Sequence, residues 1–304
     1  MDQVSQLSAR EIAQIILPTR DIFVPLLEKN RSQITGVSRR TLQYGPTERH
    51  QLDVYFPNNE TGTTKSPILF FVYGGGFVSG AKSLDPPADL AYANVAAYFT
   101  AKGFITIIPD YQLMPNATFP TPARDVLNAV RFMMDHREYL EGGDQGSVFL
   151  MGHSAGAVNV VSILTHPELS REASGVNIKG VVLVSGPYDY DPEEAITASP
   201  EIVQKFYGGL EETKRNCPIG LLKAAPKETL EQLPPVALVE GEYDPDSFKV
   251  VAAAFQKALK GLTGQDAPRW IAPKHNHLSL SYALGTGQGE EWAQQAAEWM
   301  KSML

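Results

Sequence analysis

Gly152-His153-Ser154-Ala155-Gly156 lies directly after the apolar run SVFLM at 147–151 and opens a helix-forming segment at 155–165. A serine at such a strand-to-helix turn is held in strained geometry, with glycines on either side admitting neighbouring backbone closely. The new helix's N-terminus favours negative charge developing beside it. The bland alternative is a serine that only caps the helix. Tyr73-Gly74-Gly75-Gly76-Phe77 follows the run ILFFV in the same way. Its glycines let backbone N–H groups point into a pocket and hold an oxyanion. A phosphate loop would need a following Lys-Ser/Thr, which is missing, and a plain tight turn is the other rival.

A serine hydroxyl needs a base to take its proton, and the base needs a carboxylate to fix its tautomer. After Ser154 the chain offers VALVEGEYDPDSF and then WIAPKHNHLSL. Asp244 follows a strand-like run and precedes a helix, and it is the preferred acid. Asp246 reads instead as the cap of a helix at 246–262, while Glu240 and Glu242 divide between sheet and solvent. Of His275 and His277 one is expected to be catalytic and the other structural. His-x-His also suggests metal ligation, but no third ligand at sensible spacing accompanies it, so no metal is expected. His50 and His136 read as ordinary exposed residues, and His153, at the variable position of the pentapeptide, is given no proton-transfer role.

The elements that must position these groups are legible in the apolar rhythm. Runs at 68–72, 104–108, 147–151, 179–184 and 236–239 are each followed by helix-length segments at 87–102, 121–140, 155–165 and 246–262, except that a long insertion intervenes after 179–184. Continuous apolar strands alternating with helices predict an α/β fold with a mostly parallel sheet covered on both faces. The period-two pattern in HQLDVYF predicts antiparallel edge strands over 36–57. At the N-terminus, Ser8 and Glu11 at capping-box spacing, with Ile12, Ile15 and Ile16 on one face and Pro18 after them, predict a helix over 8–17. The 187–232 stretch reads as helical pieces which, with residues 1–35, form a cap on a single domain spanning 1–304.

Composition excludes several classes of function. The 304 residues carry 26 Lys+Arg against 34 Asp+Glu, a net charge of −8, and the isoelectric point is about 5.3. Nucleic acid and anionic membrane surfaces demand a basic footprint that this chain lacks. Cys217 is the one cysteine, so no intramolecular disulfide forms. The N-terminal stretch does not read as a secretory leader, and no apolar run approaches a membrane span. A cytoplasmic protein is expected, and a homodimer is compatible with the sequence.

The motifs YGGGF, DYQLMP at 110–115 and GHSAG, completed by EYDPD and HNH, resemble the α/β-hydrolase fold and within it the hormone-sensitive-lipase-like carboxylesterases. The likeness covers about residues 35–304. It implies Ser154 as nucleophile, Asp244 as acid and His275 as base, with oxyanion donors from the backbone of Gly75, Gly76 and Ala155. It implies a serine hydrolase acting on small carboxylic esters, with no cofactor. Tyr73 and Gln112 depart from the family's usual His and Arg. Phe77, Phe206 and Tyr207 are candidates for an apolar or aromatic pocket, with plain packing as the alternative. Kynurenine formamidases share the fold and triad, so an aryl formamide is the alternative substrate. The plant gibberellin receptors, which resemble these enzymes but lack the catalytic histidine, supply the non-catalytic alternative.

Overall fold

Unbroken apolar strands are stable only where helices cover both sheet faces, and the chain folds accordingly. The computed structural model describes residues 1–58, 65–190 and 199–304. Its sheet comprises β1 (Ser38–Gln43), β2 (Gln51–Phe56), β3 (Ser66–Val72), β4 (Ile105–Pro109), β5 (Gly143–His153), β6 (Ile178–Val184), β7 (Val236–Gly241) and β8 (Arg269–Ala272). They lie in the order β1-β2-β4-β3-β5-β6-β7-β8. β1 pairs with β2 and β2 with β4 antiparallel, and every other pairing is parallel. All residues of β3, β4 and β7 are buried. This is the α/β architecture predicted from the apolar runs, with the period-two strands at one edge.

The helix Ala155–Thr165 is buried along its whole length, and packs on β5, β3 and β6. Ala93–Ala101 packs on β4 and β2, Asp246–Thr263 on β7, and Glu291–Lys301 on β8 and β6. Each parallel strand therefore ends on the same side of the molecule, the usual location of ligands in such sheets.

The N-terminal helix departs from expectation. It runs Ile12–Lys29, straight through Pro18 and Pro25, and Ser8 lies outside it. Ile15, Thr19, Phe23 and Leu27 form a buried stripe at four-residue spacing, and Phe23 and Leu27 pack against Leu90, Ala91 and Tyr282. Burying apolar side chains of this size is worth about 2 kcal/mol each, enough to offset the hydrogen bonds that two prolines cannot make. The described residues of the 187–232 stretch hold four short helices, Pro200–Tyr207, Leu210–Asn216, Pro218–Ala224 and Lys227–Glu231. Pro218–Ala224 is wedged between Ala155–Thr165 and Asp246–Thr263, so part of this segment belongs to the helical layer. Residues 191–198 of the expected cap lie outside the described residues.

Candidate active site

Ser154 stands at φ 55°, ψ −125°, between the end of β5 and the first residue of the helix Ala155–Thr165. A non-glycine residue there is strained by about 1–3 kcal/mol. Close packing enforces the strain. A Cβ on Gly152 would lie 2.6 Å from the Gly156 carbonyl oxygen, one on Gly156 would lie 2.0 Å from that of Val72, and one on Gly74 would lie 2.6 Å from the Ser154 Cβ. Gly74 and Gly156 are thus required by the close approach of the two loops, and Gly152 by the tightness of the serine turn itself. The Ser154 N–H donates to the Val184 carbonyl at 2.9 Å, tying the turn to β6.

The glycine loop after β3 runs through positive φ at Gly75 (145°), Gly76 (60°) and Phe77 (70°). Among the described residues the N–H groups of Gly75, Gly76 and Ala155 donate to no protein acceptor. For Ala155 this follows from its place at the start of a helix, where N–H groups lack intrahelical partners. The loop's base is braced from behind. The Tyr73 hydroxyl donates to Asp110 Oδ1 at 2.6 Å and accepts from Arg49 at 2.8 Å, while its ring stacks on Tyr92 and Tyr111. Arg49 also donates to the carbonyls of Tyr111 and Gly80. Gln112 donates from its backbone and side-chain amide to Asp125, whose other oxygen lies 3.1 Å from His50 Nε2. His50 is therefore buried in a polar cluster rather than exposed, and His136 is half-buried on Phe132.

The histidine that meets Asp244 is His277, not His275. His277 Nδ1 lies 3.1 Å from Asp244 Oδ1. Asp244 Oδ2 accepts from the Ser185 hydroxyl at 2.5 Å and the Gly241 N–H at 2.7 Å. Burial alone would raise the Asp244 carboxyl, yet the hydrogen bond and charge of His277, with those two donors, hold it below its ordinary value. Among the described residues His277 Nε2 makes no protein hydrogen bond.

His275 faces elsewhere, which corrects its assignment as the partner of Asp244. Its Nδ1 meets Ser279 Oγ at 3.0 Å and its Nε2 meets the Gly289 carbonyl at 2.7 Å. Burial pushes it down to about 4, so it is neutral near pH 7 and its Nε2–H is the donor to Gly289. Asn276 between them accepts from the N–H groups of Leu278 and Ser279 and donates to Thr19. Local sequence does not separate the two histidines, because beyond the neighbouring Leu278 and Ser279 the groups that hold His275 and Asn276 lie at Gly289 and Thr19, remote in sequence. Since the pair points to different partners, it does not converge as metal ligands.

Glu240 is buried and bound to Arg269 at 2.7 Å, and Glu242 is exposed. Asp246 is exposed in the first turn of Asp246–Thr263, paired with Lys249. Ser185 was missed by sequence reasoning. Its signal is faint, a small hydroxyl residue at the end of β6, the strand lying between those that carry Ser154 and Asp244.

Phe77 stacks on Phe206 with ring centroids 4.0 Å apart and meets Tyr207 edge-on. All three are buried in a cluster with Met114, Ala155 and Val158. The helix Pro200–Tyr207 is thereby fixed beside the serine turn.

A strained serine after β5, a carboxylate after β7, a histidine after β8 and a glycine loop after β3 define an α/β-hydrolase. The BD-FAE family model matches residues 52–259, more than half of the chain, and the chain belongs to that family. It is 32% identical over 141 residues to a probable isoprenylcysteine alpha-carbonyl methylesterase of Arabidopsis thaliana, covering 46% of this chain but 27% of that protein. It is 24% identical to a kynurenine formamidase of Salmo salar, covering 93% of this chain and 89% of that protein. Esterase B of Lactobacillus Rhamnosis superposes with a TM-score of 0.71 at 18% identity, covering 96% of this chain and 95% of that one. The chain spans less than two thirds of the plant methylesterases' length. Among the described residues no helix is long and apolar enough to cross a membrane.

Proposed function

We propose that this protein is a serine hydrolase that cleaves small carboxylic esters through an acyl-enzyme. The observation that carries the reading is the His277–Asp244 pair at 3.1 Å, formed at strand ends beside a serine in strained geometry. Ser154 Oγ attacks the ester carbonyl carbon as His277 Nε2 takes its proton. Asp244 fixes the Nδ1–H tautomer and stabilises the imidazolium. The N–H groups of Gly75, Gly76 and Ala155 receive the oxyanion. Collapse breaks the bond to the alkoxy oxygen, which leaves with the proton from His277. Water, deprotonated by His277, then attacks the acyl group, and the second collapse returns the proton to Ser154 Oγ and frees the acid.

The partner is a small-molecule ester. The aromatic cluster of Phe77, Phe206 and Tyr207 is assigned to the wall that meets its apolar part, with the helix Pro200–Tyr207 as its covering element. A cytoplasmic location accords with the single, buried Cys217. The experiment is hydrolysis of p-nitrophenyl acetate and butyrate by wild type and Ser154→Ala, both shown to be folded. A loss of thousandfold or more is expected. Unchanged turnover in the variant overturns the reading.

Similarity to a kynurenine formamidase over 93% of the chain favours a second substrate, an aryl formamide cleaved by the same groups. Comparison of kcat/KM for N-formylkynurenine with that for the aryl esters decides between them. A purely ligand-binding role has no observation in its favour.

A further inference from the structure

The irregular segment 273–278 that carries His277 has no strand ladder to hold it, so the position of its imidazole depends on individual contacts. One of these comes from the serine turn itself. His153 Nε2 lies 3.0 Å from the His277 carbonyl oxygen, and the two rings pack with centroids 4.9 Å apart at 37°. Phe248 also packs on the His277 ring, 4.9 Å away and edge-on. We propose that His153 is a positioning residue for the hydrolase reaction, tying the backbone of His277 directly to the residue that precedes Ser154. This deepens the serine-hydrolase reading and rests on it.

The chemistry of the contact is well determined. A carbonyl oxygen can only accept, so His153 must carry its proton on Nε2. Nδ1 then bears a lone pair, which is buried with no partner among the described residues. Burial, with the adjacent His277, pushes His153 down to about 3. The ring is therefore neutral and places no like charge beside His277 when that residue becomes imidazolium. A misplacement of about 1 Å can cost a reaction of this kind about a hundredfold. With the base tied to the nucleophile's own neighbour, drift of the β8 connection moves both partners together. Asn276, anchored on Thr19 at 2.8 Å, fixes the same segment from the other end.

The test compares His153→Gln with His153→Phe, using p-nitrophenyl butyrate. A glutamine amide nitrogen reaches where Nε2 lies and keeps the donor, whereas phenylalanine keeps the ring and loses it. His153→Phe is expected to lower kcat about tenfold or more with KM within about twofold. It should also weaken the downfield proton resonance of the His277–Asp244 hydrogen bond. His153→Gln should stay within about threefold of wild type. A folded His153→Phe with wild-type kcat and resonance overturns the proposal, as does a Gln variant impaired as far as Phe. Should the Phe variant not fold, His153→Leu is compared with Gln by the same criteria. His277→Ala is run alongside, because full turnover in that variant would overturn the triad reading itself, whatever the His153 variants do.

Discussion

At the scale of single residues, two histidines two positions apart have unlike partners, and their substitution should tell the proposed chemistry from stability alone. Replacing His277 by alanine removes the proposed base and is expected to lower kcat by a thousandfold or more, and to lower the melting midpoint as well, because the buried Asp244 carboxylate loses its partner. His275→Ala removes two buried hydrogen bonds and a packed ring, and should cost about 3 kcal/mol in urea unfolding while the residual folded enzyme turns over normally. Protonation follows the same division. Burial holds His275 at about 4 and His153 at about 3, below the ordinary histidine value of 6.5. Because the folded state binds these protons less readily than the unfolded chain, their contribution is complete above about pH 6.5 and falls as pH drops toward the folded values. Each histidine contributes a slope of about 1.4 kcal/mol per pH unit in that window. His275→Gln should therefore flatten the decline in stability between pH 6 and pH 4.5, measured by urea titration at each pH. Asp244 acts lower still, since its depressed carboxyl loses its share only as pH falls below its ordinary value of 3.8.

At the scale of elements, the glycine loop is held by a scaffold rather than by its own sequence. Tyr73→Phe leaves ring stacking intact but takes a hydroxyl from Asp110 and Arg49. About 2 kcal/mol of stability should be lost, with kcat falling as the loop amides shift, a combination read from chemical unfolding and steady-state kinetics on the same preparation. The strands and most helices were legible because periodicity reports burial, and burial is what the sheet imposes. The serine turn and glycine loop were legible because only glycine tolerates backbone this close, as at Gly152, Gly156 and Gly74. What stayed hidden depended on remote partners. Pro18 reads locally as a stop, but the stripe of Ile15, Phe23 and Leu27 outweighs it. His275 and His277 are alike in local sequence, and only Gly289 and Asp244, brought in by folding, tell them apart. His50 looked exposed until Asp125 arrived from another element.

At the scale of the whole molecule, the aromatic cluster joins the serine turn to the inserted helices. Phe206, 1% exposed, lies on Phe77 at 4.0 Å and so carries both packing and the proposed pocket wall. Phe206→Ala should cost about 3 kcal/mol and broaden the range of acyl lengths accepted, seen as a flatter kcat/KM series from acetate to octanoate esters. A stability loss with an unchanged series would assign Phe206 to packing alone.

The groups assembled at the strand ends are contributed by about two thirds of the chain's length, from Tyr73 after β3 to His277 after β8, and the bond from His153 to His277 closes a loop of 124 residues. In chain order Ser154 comes first, Asp244 second and His277 last, after β8, so the proposed base is the last of the three groups to be synthesised.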